Sequence, residues 1–127
     1  GYSSHENVRW TQGIGTKGKS TAYPATVTLA ATWNENLAYQ YGKALGRDCR
    51  ARNINVILGP AVNIYRAPMC GRNFEYMGED PYLTSRICVG YIKGVQDQGV
   101  MATVKHFVAN NSDYDRNNIS NDIDEEP

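Results

Sequence analysis

The chain has 127 residues, of which 41% are hydrophobic and 20% charged, so the composition favours one folded domain and excludes wholesale disorder. Thirteen Lys and Arg balance thirteen Asp and Glu, so the chain lacks the positive charge expected of a nucleic-acid-binding or membrane-surface protein. No apolar run is long enough to span a membrane. The nine Tyr and two Trp suit a half-wet surface such as a carbohydrate cleft or an interface.

The three cysteines, Cys49, Cys70 and Cys88, have no CxxC spacing and no neighbouring His. An odd number also argues against a complete disulfide framework, so we predict buried free thiols. The chain begins with Gly1 and not with Met, which leaves its compartment open, including secretion or a periplasmic location.

The first predicted helix follows an irregular lead-in, residues 1–22, that contains at most a short strand at 8–10. Thr32 and Glu35 fit a capping box at the start of this helix, and Asn34 is a competing N-cap. The predicted apolar face repeats every four residues and comprises Leu37, Tyr41, Leu45 and Cys49.

A buried strand, "NVILGP" (55–60), is predicted after Asn53, which can end the first helix in a left-handed turn. Asp80-Pro81 predicts the start of a second helix, with a capping carboxylate followed by Pro at the first helical position. Its predicted apolar face comprises Leu83, Ile87, Tyr91 and Val95.

Gly99 is expected to end the second helix, and "VMATV" (100–104) is predicted to form the next buried strand. Residues 109–127 form a polar tail rich in Asn and Asp. The order of elements predicts an α/β fold with parallel strands, in which chemistry gathers beyond the carboxyl ends of the strands. The loop after strand 55–60 and the pair Lys105-His106 both occupy such positions.

Arg72 lies in the first of these loops, within "GRNFEYMGEDP". Its guanidinium suits paired hydroxyls or a carboxylate, but it could equally staple the loop through Glu75 or Glu79. Lys105 and His106 could face one ligand only if the backbone leaves regular strand geometry, because adjacent strand residues point to opposite faces. If the backbone keeps strand geometry, one of the two residues faces the barrel or sheet interior and the other packs under a helix.

No catalytic pair is identifiable among the candidate carboxylates, and no Ser-His-Asp arrangement or metal-ligand spacing is present. The glycines at 13, 15 and 18 do not match a phosphate loop. We expect no cofactor. The carboxylates considered are Glu75, Glu79, Asp80, Asp113 and Asp115.

The stretch from Tyr23 to Glu125 closely resembles the N-terminal domain of glycoside hydrolase family 3, in its β-glucosidase-like branch. The sharpest matches are "GPAVNIYRAPMCGRNFEYMGEDPY" and "TVKHF". The resemblance implies a (β/α)8 (TIM) barrel, retaining hydrolysis of terminal β-linked glucosides or oligosaccharides, and no metal. It also implies that Arg72, Lys105 and His106 bind hydroxyls of the sugar at the cleavage subsite.

The family's nucleophilic Asp and acid/base Glu lie in later segments, so we expect no catalytic residue in this chain. In "SSHENVR" the early sugar-binding Asp of many relatives is missing, and Asn117 replaces a His found in many relatives. We expect residues 1–127 to form part of the barrel, with about three parallel strands and two helices. The chain alone is predicted to be inactive.

An alternative function belongs to a different class. A partial barrel has open sheet edges and apolar faces without partners. The chain could therefore be a non-catalytic interaction or sugar-binding module that completes a barrel with another chain or by self-association.

Overall fold

The computed structural model describes residues 21–125. The predicted strand at 8–10 and nearly all of the lead-in lie outside these residues. The described elements are helix α1 (Thr26–Ala30), helix α2 (Glu35–Ala51), strand β1 (Val56–Ile57), a 3-10 turn (Asn73–Glu75), helix α3 (Pro81–Gln96) and strand β2 (Met101–Ala102).

The two strands pair in parallel, with Val56 opposite Met101 and Ile57 opposite Ala102. The predicted α/β order with parallel strands is therefore confirmed. Both strands are shorter than predicted, because the pairing beyond Ile57 and Ala102 is irregular: the N–H of Thr103 donates to the carbonyls of both Ile57 and Gly59. Parallel pairing resumes at a bridge between Ala61 and Lys105, which aligns the segments that follow the two strands.

Helix α2 begins at a different cap from the predicted capping box. Asn34 is the N-cap, and its side chain accepts a hydrogen bond of 2.9 Å from the backbone N–H of Leu37. The hydroxyl of Thr32 instead donates to the carbonyl of Leu29 at 2.7 Å. Thr32 is engaged there because it follows the short helix α1, which the sequence analysis did not predict.

The other predicted helix ends agree with the structure. Asp80 caps α3 by accepting from the N–H of Leu83 at 3.0 Å, and Pro81 is its first residue. Asn53 has a φ of 58° after α2, and Gly99 has a φ of 72° after α3. These left-handed residues turn the chain towards the strands.

Helices α2 and α3 pack through small residues, which the predicted apolar face of α2 did not include. Leu37 was placed on that face, but it is 43% exposed. A Cβ atom on Gly42 would lie 2.2 Å from the carbonyl oxygen of Tyr91, and one on Gly94 would lie 2.1 Å from that of Tyr39. The backbones therefore approach too closely for larger side chains, and the contact face is rotated towards these glycines.

The main core lies between the two long helices and the strands. The predicted face of α3 is confirmed, since Ile87, Tyr91 and Val95 are buried and Leu83 is partly buried. The three cysteines are free thiols, as predicted; Cys49 and Cys70 are buried and Cys88 is half-buried. Within residues 21–125 no helix is both long and apolar enough to cross a membrane.

Candidate functional site

The polar segments that follow β1 and β2 meet at the carboxyl ends of the strands. The bridge between Ala61 and Lys105 holds them together, with the N–H of Val62 donating to the carbonyl of Lys105 at 2.8 Å. Lys105 in turn donates its N–H to the carbonyl of Pro60 at 3.0 Å. These bonds place the loop containing Arg72 beside the Lys105-His106 pair, as the predicted topology required.

Glu75 is the centre of the charged part of this site. Arg72 donates to it through two nitrogens, Nε to Oε1 at 2.9 Å and Nη2 to Oε2 at 3.1 Å. Lys105 Nζ lies 2.8 Å from Oε2 of the same carboxylate. Of the two carboxylates with which Arg72 could hold the loop together, Glu75 is therefore the one that pairs with it. Glu79 is exposed. Two of the three predicted site residues converge on one carboxylate.

The pairing determines the charge states of this cluster. Burial raises the pKa of Glu75, but hydrogen bonds and charge from Arg72 and Lys105 outweigh that effect and lower the pKa overall. Burial lowers the pKa of Arg72, and the opposing effect of Glu75 raises it above its ordinary value. Glu75 is therefore ionised at neutral pH, and Arg72 is charged.

His106 is held by two uncharged residues. Its Nδ1 lies 3.1 Å from the hydroxyl oxygen of Tyr76, in hydrogen-bond contact. Its backbone N–H donates to Asn63 Oδ1 at 2.7 Å, and Asn63 Nδ2 donates to its carbonyl at 3.4 Å. Both the imidazole ring and the backbone of His106 are thus positioned by side chains from the loop after β1.

The environment of His106 disfavours protonation. Burial lowers the pKa of the imidazole, and the positive charges of Arg72 and Lys105 lower it further. Glu75 and Asp113 act in the opposite direction without reversing the shift. The ring is therefore neutral at pH 7 and offers one donor and one acceptor nitrogen.

Lys105 and His106 lie in the same cluster although they are adjacent in sequence. Lys105 reaches Glu75 and His106 reaches Tyr76, which follows Glu75 directly. Regular strand β2 ends at Ala102, so Lys105 and His106 lie beyond it. The condition stated from the sequence, that the backbone must depart from regular strand geometry there, is met.

Asp113 connects the polar tail to the site. Its Oδ2 lies 3.8 Å from Arg72 Nε, its Oδ1 accepts from Asn110 Nδ2 at 3.0 Å, and Arg116 Nη1 lies 3.7 Å from Oδ1. Asp115 accepts a hydrogen bond of 2.6 Å from Asn118.

Sequence reasoning did not identify Asn63 or the role of Tyr76. Asn63 is 6% exposed and Tyr76 is 1% exposed, so both belong to the buried base of the site. A polar residue directly after a buried strand is a usable signal for Asn63, because a buried amide requires partners. Within residues 21–125 no group of three or more His, Cys, Asp or Glu side chains is arranged to bind a metal ion.

Comparison with known proteins identifies the family. The model described as "Glycosyl hydrolase family 3 N terminal domain" matches residues 7–126. A β-glucosidase of Bacteroides ovatus is 57% identical over 104 residues, which are 82% of this chain and 14% of that protein. An exo-α-(1→6)-L-arabinopyranosidase of Bifidobacterium longum is 44% identical, over 76% of this chain and 13% of that protein.

Among solved structures, β-glucosidase 3B from Thermotoga neapolitana in complex with α-D-glucose matches with a TM-score of 0.71 and 52% identity, over 72% of this chain and 13% of that one. The chain thus spans only about one-seventh of the length of the relatives cited, 14% for the Bacteroides enzyme. Over that span, the sequence comparisons and the structural comparison point to the same family. The chain belongs to glycosyl hydrolase family 3.

Proposed function

We propose that the protein containing this chain is a retaining β-glycosidase of the β-glucosidase type, which hydrolyses terminal β-linked glucosides. In this proposal Arg72, Lys105 and His106 bind hydroxyls of the sugar whose glycosidic bond is cleaved. The observation that carries it is the convergence of these three side chains at the carboxyl ends of β1 and β2, in a chain of this family.

The chemistry of the cluster suits a sugar. Arg72 and Lys105 supply N–H donors, and a neutral His106 supplies a donor and an acceptor, which together match the hydroxyls of a pyranose ring. Glu75 holds both cations before a ligand arrives, so less side-chain freedom is lost on binding. Such fixed donors orient the ring for attack at its anomeric carbon.

The catalytic carboxylates are assigned to other parts of the protein. A retaining mechanism requires two carboxyl groups about 5–5.5 Å apart, one as nucleophile and one as acid/base. Glu75 is occupied by two cations and Asp80 by the cap of α3. We assign the nucleophile to an Asp and the acid/base role to a Glu downstream, so this chain alone is expected to hydrolyse no aryl glucoside.

We further propose that the chain forms part of a (β/α)8 barrel. The parallel pair β1 and β2, joined across α3, is the repeating unit of such a barrel. Apolar side chains on and after β2 support this proposal, because they are exposed here and would pack against the rest of the barrel. They include Met101, Val104, Phe107 and Val108, with Phe107 96% exposed.

The same exposed side chains favour the alternative that the chain completes a barrel with another chain or by self-association. Sedimentation of the purified 127-residue chain at micromolar concentration tests this alternative. Self-association that buries these residues would support it, and a well-folded monomer would contradict it. Titration with glucose tests whether the chain alone binds sugar, and the absence of measurable heat would contradict that function.

Hydrolysis of an aryl β-D-glucoside by the intact protein tests the enzymatic proposal. We expect Arg72→Gln to reduce kcat/KM by about 100-fold, as for loss of a charged hydrogen bond at a reacting sugar. Arg86→Gln is the matched control, because Arg86 makes the same two-point contact with Glu35, at 2.8 and 3.1 Å, on the exposed helix surface.

Equal activities of the Arg72 and Arg86 variants would contradict the assignment of Arg72. An aryl α-L-arabinopyranoside assayed in parallel tests the sugar, since one relative is named for that activity. Preference for the arabinoside would contradict glucosides as the substrates, but it would leave the assignment of the sugar-binding residues intact.

A further inference from the structure

We propose that Tyr76 is a positioning residue that fixes the tautomer of His106, so that the imidazole presents its Nε2–H to a sugar hydroxyl. The inference rests on the proposed function for the position of the sugar. It goes beyond that function because it assigns a role to Tyr76 and a direction to the hydrogen bond of His106.

The contact between the two side chains is close and well oriented. The hydroxyl oxygen of Tyr76 lies 3.1 Å from Nδ1 of His106. The two rings meet nearly at right angles, with an interplanar angle of 81° and centroids 5.8 Å apart. Tyr76 is 1% exposed, so water does not compete for its hydroxyl.

We assign the phenol as the donor in this contact. Burial raises the pKa of Tyr76, and a hydrogen bond from the Asn110 side chain opposes this shift without reversing it. The hydroxyl is therefore protonated at neutral pH. Its single proton is available for donation, and the acceptor within reach is Nδ1 of His106.

The direction of the hydrogen bond between Tyr76 and His106 decides which nitrogen of the imidazole carries the proton. The ionisable groups that face the ring are Arg72, Lys105, Glu75, Asp113 and Tyr76. The imidazole is neutral, as derived above, so only one of its nitrogens carries a proton. When Nδ1 accepts from Tyr76, that proton lies on Nε2, and the ring becomes a donor at the nitrogen remote from Tyr76.

Asn63 completes the arrangement by holding the backbone of His106 at both its N–H and its carbonyl. The direction of the ring and the location of its proton are thus set before a ligand binds. A donor fixed in this way has no alternative tautomer to populate, which would otherwise weaken its bond to a hydroxyl oxygen.

A double-mutant cycle in the intact protein tests the inference, with kcat/KM for an aryl β-D-glucoside as the measured quantity. We expect Tyr76→Phe, which retains the buried ring, to reduce kcat/KM about tenfold, the size of one lost hydrogen bond. His106→Ala should reduce it further. Adding Tyr76→Phe to His106→Ala should then have no additional effect, because Tyr76 acts only through His106.

Tyr41→Phe is the matched control. It removes a hydroxyl that donates to the carbonyl of Pro24 at 2.8 Å, away from the site. We expect it to leave kcat/KM unchanged in either background. Thermal melting of each variant verifies that the comparison is made between folded proteins.

The pH profile gives a second readout that a purely structural role of Tyr76 would not move. Donation from Tyr76 stabilises the neutral imidazole, so Tyr76→Phe should raise the pKa of His106 and shift the acid limb of kcat/KM to higher pH. An unchanged acid limb would overturn the inference about Tyr76 but not the proposed function. A tenfold loss from Tyr76→Phe that persists in the His106→Ala background would do the same. An unchanged kcat/KM in His106→Ala would overturn both the inference and the placement of the sugar at His106.

Discussion

Lys105 Nζ lies 2.8 Å from Glu75 Oε2, which joins the segment after β2 to the 3-10 turn in the long loop after β1. The same carboxylate accepts two hydrogen bonds from Arg72. One anion therefore holds two cations beside each other, at a position where their mutual repulsion would otherwise drive them apart. Glu75 is consequently expected to be needed for both the stability and the geometry of the site.

We expect Glu75→Gln to lower the free energy of unfolding by about 1–3 kcal/mol, because two partly buried cations lose their shared counter-charge. Urea denaturation of the variant and the parent protein measures this difference. Glu35→Gln is the control, since it removes the equivalent fork to Arg86 at an exposed surface, where ion pairs contribute little. Equal losses for the two variants would contradict a special role for Glu75.

The stability of the protein should depend on pH through His106. Its pKa is lowered from the ordinary value of 6.5 by burial and by Arg72 and Lys105. Below that pH the unfolded state binds more protons than the folded state, so the free energy of unfolding falls as the pH falls towards the folded-state pKa.

Urea denaturation at about pH 5.5 and about pH 7.5 measures this effect, and His106→Gln should flatten the difference between the two values. His5, the other histidine of the sequence, is present in both proteins, so any contribution from it cancels in the comparison. An identical pH dependence with and without His106 would contradict the prediction.

Gly94→Ala is expected to destabilise the pair of long helices. Alanine normally stabilises a helix relative to glycine by up to about 1 kcal/mol. Here the new Cβ atom would lie 2.1 Å from the carbonyl oxygen of Tyr39 and 2.6 Å from the N atom of Lys43. Since these are backbone atoms that cannot rotate away, we expect a loss of about 3 kcal/mol, measured by urea denaturation.

Gly71→Ala is the control for overpacking, because no heavy atom lies within 4 Å of its added Cβ. It should leave the free energy of unfolding nearly unchanged. A Gly94→Ala variant as stable as the parent would show that the helices can separate at no cost and would contradict the close packing described above.

Asn34→Ala should cost about 1 kcal/mol, because it leaves the N–H of Leu37 without its capping acceptor at the start of α2. Gln40→Ala, at an exposed position inside the same helix, is the control and should have little effect. Thermal melting of the two variants measures the difference. A larger loss from the control than from Asn34→Ala would contradict the role of Asn34 as N-cap.

The sequence alone determined those features of the protein that depend on neighbouring residues. Asp80-Pro81 specified the start of α3, since capping and the fixed φ of proline act within one turn. Asn53 and Gly99 marked the turns into the strands for the same reason. The resemblance from Tyr23 to Glu125, sharpest in "GPAVNIYRAPMCGRNFEYMGEDPY" and "TVKHF", indicated the family, and the comparison over residues 7–126 confirmed it.

Only the tertiary structure decided which side chains meet. Spacing left Arg72 a choice between Glu75 and Glu79, because the path of an irregular loop has no sequence period, and the structure selects Glu75. The contact of Tyr76 with His106 joins loops that meet only after the strands have paired. The glycine contact between α2 and α3 was likewise unpredictable, because an apolar repeat marks large side chains, whereas this interface depends on their absence.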